Sequence, residues 1–589
     1  MCLATCKVGI LQPVVANTIF RQRYACHAAV QSMKSNAHTP IRRDRASVAG
    51  KQPPIDESTD LLIVGAGPAG ISAALTAAGA GVRVTLVDEN PVPLQTMGED
   101  VPLHFGGRMA ATAANRNVVL ESVLQARPQL AEAIDAGVDV RLGTAAWGLF
   151  PQRRTAGWID GHVAGLADED RAYLLRFRQV IVATGCRDMG VAFDGWQRPG
   201  VMGATAAYRL ATTYQALDSR TAVLVGSGPE ALQIGNALMD AGVRIAAVVE
   251  QAEAITGPTE LMARLLGSGT RLFTRHVVQQ TVGDLNGVAG VRLAGIDDDG
   301  SRVSDPMERI ECDTVVLAVA AIPAIELIEA AGCAVRFQAA RGGHVPVIDG
   351  LQRTSLPFLY AAGDCAGVWL SKTLSDETAR REGRIAAVAA LRVLGVVEPD
   401  LPEEAAVVPD SAVAPNSAVR DVALERMAWV RAMTLNSAAA PFVCQCEEVT
   451  AADVLGLSPP RYLHCQRVAH GASRLGSVDP EGTPHPDVVK RLTRAGMGPC
   501  QGRRCREQIA ALMALGAGSS LADIPLATYR PPVRPLRLAQ LAALPEAAAM
   551  SDGWESWFGI PSQWIPFWRL SPARSAAGSC GEEEPVAGE

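Results

Sequence analysis

Residues 61–80 read LLIVGAGPAGISAALTAAGA. Leu61–Val64 is a four-residue apolar run stopped by glycine, the pattern of a buried strand, and the Ala-rich stretch from Ile71 to Ala80 predicts a helix. Between them lies GAGPAG, Gly65 to Gly70. Gly65 permits the tight turn, Gly67 lets the backbone approach a diphosphate, and Gly70 lets helix and strand pack closely; the helix N-terminus adds amide donors and a positive dipole end. The next apolar run, Val82–Val87, ends at Asp88 and Glu89, where a carboxylate can accept hydrogen bonds from ribose hydroxyls. Asp88 is the first choice because it directly follows the run. A lone GxGxxG is weak evidence, but strand, turn, helix and terminal acid in this order predict a dinucleotide site.

Working outward, the unit repeats. Ala222–Val225 leads into GSGPEA, Gly226 to Ala231, with Gly228 as the second glycine; a helix follows, and then a strand, Ile245–Val249, closing on Glu250. An acid at that strand end favours a free ribose 2'-hydroxyl over a 2'-phosphate, so NAD or another adenine nucleotide is expected there rather than NADP. The alternative is a Rossmann unit kept for its shape, with no dissociable nicotinamide. Two such units make the fold class α/β.

A different chemistry lies near the C-terminus. Cys444 and Cys446 form a C-x-C pair in FVCQCEEVT, and Cys500 and Cys505 form a C-x4-C pair in TRAGMGPCQGRRC. Four thiolates are a ligand set for a [2Fe-2S] cluster. Structural zinc also takes four cysteines, but its pairs usually enclose two to four residues, and the first pair here encloses one. The spacing favours the cluster and leaves zinc as the alternative. Gly496, Gly498 and Gly502 let backbone crowd around the sulfurs and offer them amide donors.

Val180–Gly185, VIVATG, and Tyr360–Asp364, YAAGD, resemble the two strand-end motifs of FAD-containing oxidoreductases built from two dinucleotide domains. That resemblance implies FAD at the first site, with Thr184, Gly185 and Gly363 in its wall and Asp364 contacting the ribityl or pyrophosphate part. Thr493–Cys505, the EEVT after the first cysteine pair and the segment YRPPVRPL, 529–536, resemble the bacterioferritin-associated-ferredoxin-like domain fused to FAD subunits of opine oxidases and hydrogen cyanide synthase. The likeness covers about 58–540. It implies two Rossmann-like domains, a small, mostly helical C-terminal [2Fe-2S] domain, and a place in a heteromeric dehydrogenase or oxidase acting on the C–N bond of an amino acid, opine or secondary amine. A second flavoprotein subunit would carry the amine-oxidising site. FAD accepts two electrons as hydride and a cluster passes them singly, so the pair would convert one mode into the other. The rivals are a self-contained NADH-dependent reductase and a non-catalytic scaffold subunit.

The expected division is an N-terminal extension 1–57, an FAD-binding part 58–215, the second Rossmann unit 216–335, a return segment 336–400 with a helix at Glu377–Leu394, a linker 401–435, the cysteine module 436–515 and a Pro- and Trp-rich tail 516–589. The extension carries Arg21, Arg23, Arg42 and Arg43 and no acid before Asp44. It suits an organellar transit peptide; a misplaced start codon or a flexible bacterial tail is the preferred alternative. Residues 447–499 look longer than in relatives, with an expected surface insertion near Gly471–Pro486, and the GGQ that many relatives carry after the ribose acid is absent, with Phe105–Arg108, FGGR, somewhat later.

Composition narrows the function. The net charge of -7 and the absence of a basic cluster exclude nucleic acid as the main partner. No window offers the roughly 20 apolar residues of a membrane span. Thirteen cysteines without a secretory signal point to a reducing compartment, hence the cytoplasm, with mitochondria expected only if the extension is a transit peptide. Trp554, Trp557, Phe558, Trp564, Phe567 and Trp568 crowd the tail and suit peripheral membrane or subunit contact, with folding onto the chain's own core as the equal alternative. No C-x-x-C occurs, which argues against a disulfide reductase; Cys186 and Cys365, beside the ATG and GD motifs, read best as small buried hydrophobes. His104, before FGGR, is a weak candidate proton carrier. Lys372, a rare lysine, is a weak candidate for contact with an anionic substrate or second flavin. A packed or solvent-facing role is the better expectation for both.

Overall fold

The computed structural model describes residues 53–55, 57–92, 107–152, 159–303, 308–396, 421–460, 462 and 485–548. Leu61–Val64 forms the central strand of a five-stranded parallel sheet, between Gln179–Val182 and Val84–Asp88, with Leu359–Ala361 and Asp139–Leu142 at the two edges. A central parallel strand is covered on both faces, which is why it reads as an unbroken apolar run. Leu61, Leu62 and Ile63 are fully buried, each stabilising by about 1.5–3 kcal/mol.

The helix Pro68–Ala77 returns over this sheet and packs on the helix Glu377–Leu394 through small residues. Contact is so close that a Cβ on Gly383 would stand 2.0 Å from the carbonyl oxygen of Ala69. Leu359–Ala361 joins the sheet by a long-range return, which places the turns after residues 64, 88, 182 and 361 along one carboxyl edge.

The second sheet is also five-stranded and parallel, ordered Val201–Gly203, Thr314–Leu317, Thr221–Val225, Arg244–Val249 and Arg271–Phe273. Two expected boundaries move. Val201–Gly203 lies before the expected boundary at 215 yet belongs to the second sheet, because the chain crosses over before the second glycine turn is reached. Residues 421–435, expected as linker, fold instead: Asp421 caps the helix Val422–Val430, and Trp429, Val430 and Met433 are buried. Their apolar face was hidden by the Pro- and Ala-rich stretch before it.

The cysteine module packs on the second sheet rather than hanging from it. One continuous core holds Val223 and Val315 of the sheet, Trp196 and Trp429, and Val443, Leu512 and Tyr529 of the C-terminal part. The expected tail likewise begins as packed chain, with Ile524, Leu526, Tyr529 and Val533 buried. Among the described residues no helix is long and apolar enough to cross a membrane. The extension 1–52, His104 with Phe105 and Gly106, the start of the expected linker at 401–420, the insertion up to residue 484 and the tail tryptophans lie outside the described residues.

Candidate functional site

The carboxyl edge of the first sheet opens into a cleft. Gly65 and Gly67, Asp88 and Glu89, and Thr184 and Gly185 all line it. Gly65 has φ +109°, and a Cβ there would meet the carbonyl oxygen of Ala183 at 2.2 Å; one on Gly70 would meet that of Gly65 at 1.8 Å. These two glycines are required by the packing of strand, turn and helix. A Cβ on Gly67 would meet nothing within 4 Å, so the turn leaves open space where a diphosphate would approach.

Asp88 holds the turn as well as facing the cleft. Its Oδ2 accepts from the amide of Ala66 at 2.6 Å, and its Oδ1 accepts from the backbone and side-chain amides of Asn90 at 2.7 and 2.8 Å. Arg127 stands 3.9 Å from Oδ2 and donates to the carbonyl of Ala66. Glu89 is gripped from a distant part of the sequence: Arg534 donates through Nε at 2.7 Å and Nη2 at 3.2 Å. Thr184 donates to the carbonyl of Ala324 at 2.8 Å. Arg534 and its neighbour Val533 line the cleft too; the sequence marked their segment, YRPPVRPL, only by its resemblance and did not place it at the nucleotide turn.

Gly363, at φ +77°, donates its amide to Glu382 Oε2 at 2.7 Å. Lys372 is buried beneath this turn, donating to the carbonyls of Gly363 and Gly367 and to Glu382, with its ammonium 3.8 Å from the centre of the Trp369 ring. It positions the GD turn from below, the packed role, rather than the weaker alternative of contact with an anionic substrate or second flavin. Cys365 donates into the carbonyls of Val182 and Ala362, and burial pushes its thiol up to about 11, so it behaves as a small buried hydrophobe.

Asp364 belongs to a group of acids between the two Rossmann units. Burial pushes its carboxyl up, while Lys372 and the thiol of Cys186 pull it back. Burial pushes Asp188 to about 6, opposed by the amide and hydroxyl of Thr205. Burial, then the charges of Asp188 and Asp364, push Glu230 to about 8. Neither Asp188 nor Glu230 was expected. The only sequence signal is that Glu230 stands in GSGPEA where the first turn has Ala69.

At the second glycine turn Gly226 has φ +107°, and Gly228 caps the helix Pro229–Asp240. Glu250 is 1% exposed; its Oε2 accepts from the amide and hydroxyl of Ser227 and its Oε1 from the amide of Ala252. Thr256 donates its amide to the Ser227 hydroxyl, and a Cβ on Gly257 would stand 2.8 Å from the carbonyl carbon of Gly228. The chain following Glu250 thus folds down on this turn.

In the cysteine module, Phe442–Cys444 pairs with Val449–Thr450, and Cys446 lies in the turn between them. Thr450 and Asp453 form a reciprocal cap on the next helix. Cys505 is the N-cap residue of the helix Arg506–Ala517, and its contact with Cys444, then burial, push its thiol up. The thiols meet in two couples, Cys444 with Cys505 and Cys446 with Cys500; the contact lowers Cys444, and in the other couple lowers Cys500 to about 5 while raising Cys446. Among the described residues no three His, Cys, Asp or Glu side chains form a group that would hold one metal ion. The amide of Gly496 points at Cys444 Sγ at 3.4 Å, and a Cβ on Gly498 would stand 2.2 Å from that of Cys446. Burial lowers Arg504, and the charges of all four cysteines raise it again.

A largely enclosed arginine joins the cleft to this module. Arg187 donates to Glu326, a cleft-wall residue, at 2.7 Å; to the carbonyl of Arg503 at 2.7 Å; to both oxygens of Glu507 at 2.5 and 3.1 Å; and to the hydroxyl of Tyr529 at 3.2 Å.

A family model described as pyridine nucleotide-disulphide oxidoreductase matches residues 59–390, and one described as the sarcosine oxidase A3 domain matches residues 480–544. An opine oxidase subunit from Rhizobium meliloti is 30% identical over 519 residues, covering 84% of this chain and 89% of its own. Hydrogen cyanide synthase subunit HcnB from Pseudomonas aeruginosa is 27% identical over 467 residues, covering 75% and 90%. Among solved structures, L-proline dehydrogenase from P. horikoshii superposes with a TM-score of 0.51 at 19% identity, covering 83% of this chain and 81% of its own, which is a likeness of fold.

Proposed function

The chain belongs to the pyridine nucleotide-disulphide oxidoreductase family, and from that premise we propose that it is the FAD- and [2Fe-2S]-bearing subunit of a heteromeric enzyme oxidising a C–N bond in an amino acid, opine or secondary amine. The observation that carries this reading is the Arg187 bridge, which ties the wall of a dinucleotide cleft to a four-cysteine module within one buried network. A flavin takes electrons as a pair and a two-iron cluster passes them singly, so carriers at these two places would exchange one mode for the other.

The residues fit both groups. At the first site the open space beside Gly67, the strand-end carboxylate of Asp88 and the wall at Thr184 and Gly185 suit an adenine dinucleotide. FAD is favoured by the family, by the ATG motif and by the turn that carries Asp364. In the module, the one-residue spacing of the first cysteine pair favours a cluster over zinc. A backbone amide aimed at Cys444 Sγ and the nearby Arg504 guanidinium support the same reading.

The partner-fed reading is favoured over a self-contained NADH reductase by the enclosure of Glu250 and the chain folded against Gly228, which leave the second unit an architectural role. Both relatives are named as subunits, which supports a further flavoprotein subunit with the amine-oxidising site. A cytoplasmic location is inferred from the reducing conditions that four cluster thiolates require.

Anaerobic mixing tests the reading. Opines, secondary amines and amino acids are expected to reduce flavin and cluster in the complex with its partner, and NADH is expected to leave the isolated chain oxidised. Rapid bleaching of the isolated chain by NADH would establish the reductase instead, and a preparation with zinc but neither flavin nor acid-labile sulfide would end the proposal.

A further inference from the structure

The segment 528–536 leaves the cysteine module and ends in the nucleotide cleft. At its module end Thr528 donates its amide and hydroxyl to Asp487, and Tyr529 lies beneath the Arg506 guanidinium at 3.5 Å. At its cleft end Val533, 3% exposed, donates its amide to the carbonyl of Trp147 at 2.8 Å, and Arg534 holds Glu89 in a two-point pair. Both Val533 and Arg534 line the cleft with Gly67, Asp88 and Glu89.

We propose that Val533 and Arg534 are part of the nucleotide site: they close it over the ribose end of an adenine dinucleotide, so that the bound cofactor and the docked C-terminal strap stabilise each other. The proposal rests on the flavin reading above. Three observations carry it. Arg534 engages Glu89 through Nε and Nη2, which cancels a carboxylate that would otherwise repel the diphosphate. Val533 is anchored by its own backbone to Trp147, the neighbour of the lining residue Ala146, so the strap is fixed at the cleft as well as at the module. The strap's other end is fixed to the module by the Thr528 and Tyr529 contacts, so opening the cleft strains that attachment. Coupling of this kind is reciprocal: whatever factor the docked strap adds to nucleotide affinity, the nucleotide adds to docking of the strap.

The test uses the full-length protein. The nucleotide released from wild type by acid is identified by its spectrum, and rebinding of FAD to the stripped protein is measured for wild type, Arg534→Ala, Arg534→Lys and the exposed control Arg530→Ala. Expected is a loss of roughly tenfold or more in FAD affinity for Arg534→Ala, about 1.4 kcal/mol per factor of ten, with partial recovery in Arg534→Lys, no change in Arg530→Ala, and iron and sulfide content kept in all. The reciprocal arm uses wild type alone: FAD is expected to slow proteolysis within 526–536 by a similar factor. Wild-type FAD affinity in Arg534→Ala, with proteolysis of the strap indifferent to FAD, would overturn the strap proposal and leave the flavin reading standing. A wild type that neither carries nor rebinds FAD would overturn the flavin reading, and the strap proposal with it.

Discussion

Gly498 faces Cys446 with no room for a methyl group, since a Cβ would stand 2.2 Å from the cysteine's own. Its neighbour Gly496 sits at φ +80° with its amide on Cys444. The glycines therefore shape the thiol site as directly as the cysteines do. Gly498→Ala should force Cys446 outward, costing about 1–3 kcal/mol of overpacking and separating the Cys446–Cys500 couple. Iron and acid-labile sulfide per chain are expected to fall sharply while flavin content stays at the wild-type value; full iron content in the variant would show that the loop yields without cost. Residues of this kind were legible in TRAGMGPCQGRRC because spacing is local. Asp188 was not, since its role comes from Thr205 and Glu230, which only the fold brings to it.

At the scale of elements, the nucleotide cleft depends on two helices lying closer than ordinary side chains allow. Pro68–Ala77 and Glu377–Leu394 meet where Gly383 lies under Ala69, at the base of the first glycine turn. The methyl of Gly383→Ala would press on a backbone carbonyl, which moves only if the turn moves. A cost of about 1–3 kcal/mol is expected, read as a lower midpoint for the flavin-fluorescence unfolding transition. A wild-type midpoint would show that the turn yields without cost. Both helices were evident from their sequence patterns, but their contact, some 310 residues apart along the chain, was not.

Across the whole molecule, Arg187 decides whether cleft and module act as one body. Its side chain is 11% exposed and its carboxylate partners 5% and 6%, so removing it strands two buried charges. Arg187→Met should cost about 3–5 kcal/mol and split unfolding into separate steps for the FAD-binding part and the module, seen by calorimetry or by hydrogen exchange. The loss should shrink at acid pH. Burial pushes the Glu507 carboxyl up, and Arg187 with Arg506 more than offsets it, leaving the group lowered in the native chain. Without Arg187 burial dominates, the folded carboxyl takes up a proton more readily than the unfolded one, and the variant regains stability as pH falls through its raised value. A deficit independent of pH would show that the bridge acts by packing rather than charge.

The sequence by itself determined two glycine turns, their strands and strand-end acids, and four cysteines at cluster spacing, because each is written in neighbouring residues whose backbone demands are local. Only the tertiary structure decided that 421–435 is a buried helix, that Lys372 supports a turn from below, that Arg534 reaches Glu89 and that Arg187 joins the cleft to the module. Those facts depend on which distant residues share a desolvated space, and periodicity along a chain carries no record of what lies across it.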